Sequence, residues 1–218
     1  MKSNVATWTL AASLLGGGVY LFFSYFASTA RAPSNAGTLL GLLPFALALI
    51  GVAWNSRARV PALGACAAAA LAAALGFDSL REHARWLYFL QHVGAMAALA
   101  LSFGATLHGD PAQALCTRMA AVLHREPLDA AQRRYTWRLT AVWVGFFVAC
   151  GLVSALLFAL ASATAWSLYA DLGTPLLLGA MFVGEYLLRP LLLPGRERVG
   201  IGRILRGYVA DAQARKGR

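Results

Sequence analysis

Charge is scarce in this chain, and negative charge is scarcest. Of its 218 residues only 13% are Asp, Glu, Lys or Arg, and nine are acidic. A soluble domain carries about 25% charged residues. Too few are present to cover the surface of a soluble domain of this size, so lipid must serve as solvent for much of the chain. Cysteine is also sparse. Cys66, Cys116 and Cys150 form no CxxC pair and no His/Cys cluster, which leaves metal and disulfide readings without support and makes the three small hydrophobes. Four histidines yield no HExxH or HxxxH spacing, and the carboxylates are too scattered to nominate an acid/base pair. No catalytic residue, metal ligand or cofactor site is therefore assigned. Gly200-Ile201-Gly202 follows no strand and is not a dinucleotide loop.

What the chain has instead is apolar length. Hydrophobic residues make up 59% and the mean hydropathy is +0.61. Twenty-one glycines and many alanines suit helices that approach closely in lipid. A span needs about 20 helical residues to cross a core of about 30 Å. Six segments meet or approach that length: 6–27, 35–54, 60–77, 86–107, 139–161 and 165–188. The third is short and Ala-rich. The first follows Lys2 but is far longer than the 7–15-residue apolar core of a signal peptide, so an uncleaved helix is expected. Strands are not expected, because open sheet edges cannot be satisfied in lipid. The fold expected is all-α, a polytopic bundle of about six transmembrane spans over 1–195, with a cytoplasmic amphipathic connector at 108–138 and a basic tail at 196–218.

Six spans put the amino terminus, residues 55–59, the connector and the tail on one side. That side then holds sixteen of the 19 Lys and Arg; the other holds Arg31, Arg81 and Arg85. The asymmetry places both termini in the cytoplasm. Trp54, Trp86, Trp137 with Tyr135, and Trp166 with Tyr169 mark span ends and read as interfacial anchors. In the connector, Asp110 before Pro111 is an N-cap signal, and Ala114, Leu115, Met119, Val122 and Leu123 give an apolar face to a helix lying on the membrane. A second start signal, Glu126-Pro127-Leu128-Asp129, leads into the fifth span. Arg118, Arg125, Arg133 and Arg134 are candidate docking residues, either for anionic phospholipid or for an acidic partner such as an acyl carrier protein or biosynthetic enzyme. Topology accounts for the charge, so nucleic acid is not an expected partner.

Polar groups inside the spans are the remaining handles. Glu185 and Arg189 stand at i, i+4 on one helix face and can pair; Tyr186, Arg138 and Tyr135 complete a candidate intramembrane cluster. Asp171 lies in Asp171-Leu172-Gly173-Thr174-Pro175, where Gly and Pro should kink the last span or delay its start and leave Asp171 as an outer cap. Gln91 and His92 sit early in the fourth span, at the same outer side.

QHVGAMAALALSFGATL, LCTRMA, RYTWRLTAVWVGFF, AWSLYADLGTPLLL and MFVGEYLLRPLLLP together resemble a family of uncharacterised proteobacterial integral membrane proteins. The resemblance covers residues 86–194 and carries no established chemistry. It implies a gene neighbourhood of fatty-acid-synthesis-like enzymes, notably those of aryl polyene pigment assembly. The positions it nominates for test are Arg134, Tyr135, Thr136, Trp143, Trp166, Glu185, Tyr186 and Arg189.

Three functions follow from these features. The first is an accessory protein holding lipid-like or acyl intermediates, or their soluble enzymes, at the cytoplasmic membrane face. The second is a small transporter or flippase for an amphipathic product, which would call for a homo-oligomer because six helices leave little room for a pathway. The third is a membrane acyl- or glycosyl-transferase.

Overall fold

The structure, a computed structural model, describes residues 16–20, 22–27, 34–123 and 128–193. Half of the first expected span, Arg125 and the whole basic tail lie outside these residues. Every element among the described residues is helical. After a helix at 16–27 (α1, Leu21 undescribed) come α2 (Asn35–Asn55), α3 (Arg59–Leu75), α4 (Phe77–Glu82), α5 (Ala84–Gly104), α6 (Leu115–Leu123), α7 (Ala130–Leu160), α8 (Ala163–Ser167) and α9 (Thr174–Leu192). Short 3-10 turns cover Ala105–Leu107 and Pro111–Gln113, and a π-helical turn, Leu168–Gly173, joins α8 to α9.

Four helical runs are long and apolar enough to cross a membrane: Asn35–Asn55, Ala84–Leu107, Ala130–Leu160 and Ala163–Leu192. α3, the third expected span, is a 17-residue apolar helix, shorter than these. The residues between the third and fourth expected spans, 78–85, are not an open loop: they are helical over α4, which carries an Asp78–Arg81 ion pair of 3.0 Å.

The solvent preference of these helices is inverted relative to a soluble protein. Large apolar side chains, leucine above all, stay exposed on every long helix, whereas the buried side chains include, beside Tyr88, Trp143, Phe147 and Trp166, the hydroxyl residues Ser24, Thr38, Thr117, Thr136, Thr140, Ser154, Ser167 and Thr174. Between helices in lipid, apolar surface gains nothing by association, so hydroxyls that bond across helices and small side chains that permit close approach occupy the interior.

The described chain falls into two compact units. Among the described residues, one is formed by 18–95 and 151–174, the other by 16–17, 96–150 and 175–193. In the first, Ser34 caps α2 by accepting from the Gly37 amide at 3.0 Å. Gly41 lets the Tyr88 ring lie against α2, 3.4 Å from where a Cβ would stand, and the Tyr88 hydroxyl donates to the Gly37 carbonyl at 2.6 Å. Trp166, 1% exposed, packs with Tyr88, Phe89 and Phe158 and donates its indole N–H to Ser154 at 3.0 Å. It is a core residue and not the interfacial anchor that its place near a span end suggests. Trp54 and Trp86 do stay exposed. Ser162 starts the last helical run by accepting from the Ala165 amide. Asp171 therefore lies within the helical run and not at its outer end. Pro175 has no N–H for the Asp171 carbonyl, and the chain widens into the π turn just before it, with the Thr174 amide bonding back five residues to Tyr169.

In the other unit, Gly109 turns at a φ of +95°, a conformation open to glycine, and Asp110 accepts from the Ala112 amide at 2.9 Å. That cap starts a 3-10 turn only. The α6 amides are satisfied from a distance: Leu115 N–H donates to Thr106 at 2.9 Å and Cys116 N–H to Thr140 at 3.2 Å. Thr117 and Thr136 share a 2.8 Å bond between α6 and α7. The face of α6 that packs is thus Ala114, Thr117 and Ala120, while Met119 and Val122 of the expected apolar face remain 59% and 65% exposed, available to lipid. Asp129 and Gln132 form a reciprocal capping box that starts α7 nine residues before the expected fifth span. At 31 residues α7 is about 46 Å long, longer than an apolar core of about 30 Å. Trp143, Phe147, Phe103 and Phe182 stack behind it.

Candidate functional site: a charged cleft between α7 and α9

The first three turns of α7 and the last four turns of α9 border a cavity of about 570 Å³. Its walls are mostly apolar: Ala131, Leu139 and Val142 from α7, then Ala180, Met181, Gly184, Leu188 and Leu192 from α9, with Leu193. Four polar side chains interrupt them, Arg134, Tyr135, Arg138 and Glu185. Spacing explains the grouping. Residues 131, 134, 135, 138, 139 and 142 repeat at three and four, and 180, 181, 184, 185, 188 and 192 do the same, so each set is one helix face. Gly184 and Ala180 leave the room that a larger side chain would fill.

Tyr135 donates its hydroxyl to Glu185 Oε1 at 3.0 Å, and both residues are half-buried. The expected Glu185–Arg189 pair is not formed. Among the described residues neither Arg189 nor Arg138 comes within ion-pair distance of Glu185, which takes a neutral hydroxyl from the facing helix instead. Arg134 and Arg138 are exposed and make no hydrogen bond to another described residue. Tyr186 points elsewhere, 43% exposed and outside the cavity lining.

A second, shallower cavity of about 580 Å³ lies around the start of α7, lined by Asp110, Pro111, Ala130, Arg133, Arg134 and Trp137. Arg134 borders both cavities. Arg118 is exposed on α6, and Arg125 lies outside the described residues. Burial pushes the Cys116 thiol up from its ordinary range; the Glu185 charge adds to this, and a hydrogen bond from Thr140 opposes it. His124 and Asp129 stand five apart, so the chain does contain one HxxxxD spacing. The Asp129 carboxylate accepts from the Gln132 amide at 2.8 Å to start α7, and His124 lies outside the described residues.

The structure places the outer-side candidates in the other unit, where each bonds a neighbouring helix. Gln91 accepts from Tyr20 at 2.6 Å and donates to the Gly41 carbonyl. Thr174 donates to the Tyr169 carbonyl at 3.2 Å, so its oxygen accepts from His92 Nε2–H at 3.0 Å, and His92 Nδ1 is a buried acceptor with no partner among the described residues. Asp171, 7% exposed, accepts from Ser24 at 3.0 Å. Ser24, Tyr20 and Thr174 carry no sequence signal of these roles, since single Ser, Thr and Tyr residues are common in apolar helices. Among the described residues no three His, Cys, Asp or Glu side chains gather as a metal site.

Chemically, the α7/α9 cleft is able to seat an alkyl chain and to meet a headgroup with two guanidinium donors and one carboxylate acceptor. Comparison of the chain with protein-family models, with curated proteins and with solved structures gives no match.

Proposed function

We propose that this is a bacterial inner-membrane accessory protein that binds a lipid-like or acyl amphiphile in the α7/α9 cleft and holds it at the cytoplasmic face. The observation that carries the reading is the cleft itself: apolar walls with Arg134 and Arg138 on one flank, in a volume that suits a small-molecule ligand of roughly 300–1,000 Å³. In this reading the chain crosses the membrane six times with both termini inside. The support is the distribution of basic residues, sixteen of 19 on one side of such a topology. Arg118, Arg133 and Arg134 would then face anionic lipid and any acidic carrier protein or synthase that delivers the acyl chain.

The test is purification of the tagged full chain from its host in mild detergent, with mass spectrometry of what accompanies it. A stoichiometric amphiphile, lost when Arg134 and Arg138 are both changed to Glu, is the expected result. A preparation that carries no amphiphile, or the same one in the double variant, would overturn it. A transporter reading draws on a different observation, the π turn Leu168–Gly173 beside buried Asp171 and the His92–Thr174 bond, since π turns recur at functional sites. Vesicle transport that depends on a proton gradient and is lost on Asp171→Asn would favour it.

A further inference from the structure

The cleft holds charges of both signs that do not neutralise one another. Arg134 and Arg138 lie one turn apart on α7, Glu185 faces them from α9, and no ion pair joins Glu185 to either among the described residues. Glu185 accepts from Tyr135 through Oε1 alone, and the residue lines the cavity. A pure anion would gain the two guanidiniums but meet the carboxylate at close range. A neutral lipid would engage none of the three charges. A headgroup bearing an anion and a hydrogen-bond-donating cation satisfies every group at once.

Resting on the binding reading above, we infer that the cleft selects a zwitterionic phospholipid with a primary ammonium, its phosphate on Arg134 and Arg138 and its ammonium on Glu185. Guanidinium suits phosphate because its planar fork presents parallel donors. Carboxylate suits a primary ammonium because three N–H donors are available to it. A quaternary ammonium has none, so phosphatidylcholine should be discriminated against although its net charge is the same. The acyl chains lie along Val142 and Met181, and the ligand comes from the leaflet at the α7 amino terminus, because the polar residues occupy that end of the cleft.

The experiment uses the full chain in detergent, stripped of native lipid. It is re-equilibrated with equal amounts of phosphatidylethanolamine, phosphatidylglycerol and phosphatidylcholine of matched chains, and retained lipid is measured by native mass spectrometry. The expected result is enrichment of the ethanolamine lipid over the other two by about tenfold, the worth of one charge-assisted hydrogen bond. Glu185→Gln should remove that preference while the glycerol lipid is still retained. Tyr135→Phe, which keeps the carboxylate, should preserve it. Preference for phosphatidylglycerol or phosphatidylcholine in the unaltered chain would overturn the inference and leave the binding reading standing. So would an undiminished ethanolamine preference in Glu185→Gln. Retention of no lipid at all would overturn both. The comparison within the unaltered chain needs no variant to fold.

Discussion

Trp166 offers the sharpest check on the inverted interior. Its ring is 1% exposed and its N–H reaches Ser154, itself fully buried, at 3.0 Å. In a soluble protein, Trp→Ala in a core costs about 3–5 kcal/mol, part of it transfer to water and part cavity. Here the dissociated helices keep the ring in lipid, so the transfer part is largely absent and about 2 kcal/mol of lost packing remains. Ser154→Ala removes only the acceptor. It leaves a buried indole N–H, and interhelical bonds of this kind average about 0.6 and reach about 1.7 kcal/mol. Trp166→Phe removes the donor and keeps most of the ring. A double-mutant cycle over Trp166→Phe and Ser154→Ala, read by denaturant unfolding in mixed micelles or bicelles, should therefore give a coupling of about 1 kcal/mol, the double variant costing less than the two singles added. Strict additivity would refute the bond. A Trp166→Ala loss near zero would refute the burial and restore the interfacial anchor.

Two further outcomes are expected. Cys116 should react with a maleimide more slowly at neutral pH than a free cysteine, because its raised pKa lowers the thiolate fraction; its rate should keep rising at pH values where a free thiol has levelled off, and unfolding should abolish the difference. Labelling at the free model rate in the folded chain would contradict the placement of α6 on α7. Single cysteines introduced at Arg57 and at His83, in a background lacking the three native ones, should be modified from opposite sides of the membrane by an impermeant reagent. Modification from the same side would remove the six-span topology and both cytoplasmic termini.

Where the sequence was legible, a local physical cause wrote it there. Helix class followed from apolar length, and a start signal ending at Asp129 stands at the head of α7, where Gln132 completes it. Partnership across helices was not legible. α6 begins with no local cap, because Thr106 and Thr140, distant in sequence, accept from its first amides. Its packed face could not be found by hydrophobicity, because in lipid the apolar side chains Met119 and Val122 turn outward and the hydroxyl of Thr117 turns in. The same inversion hid Trp166, whose place near a helix start resembles that of the exposed Trp86. Asp171 was misread as a cap because the chain answers Pro175 with a π turn and not with a break, which keeps the helix running back to Ser162.

Glu185 carries the argument about function for a related reason. A carboxylate kept only to pin the end of α9 has a partner at hand, since Arg189 stands one turn further along the same face and an i, i+4 pair is sterically open. The structure does not use it. Tyr135, a neutral donor, meets Glu185 instead, and Arg134 and Arg138 stay open beside it in the same cleft. Under the binding reading proposed above the open arrangement has a use, because groups already paired with each other would have to be separated before a headgroup could engage them.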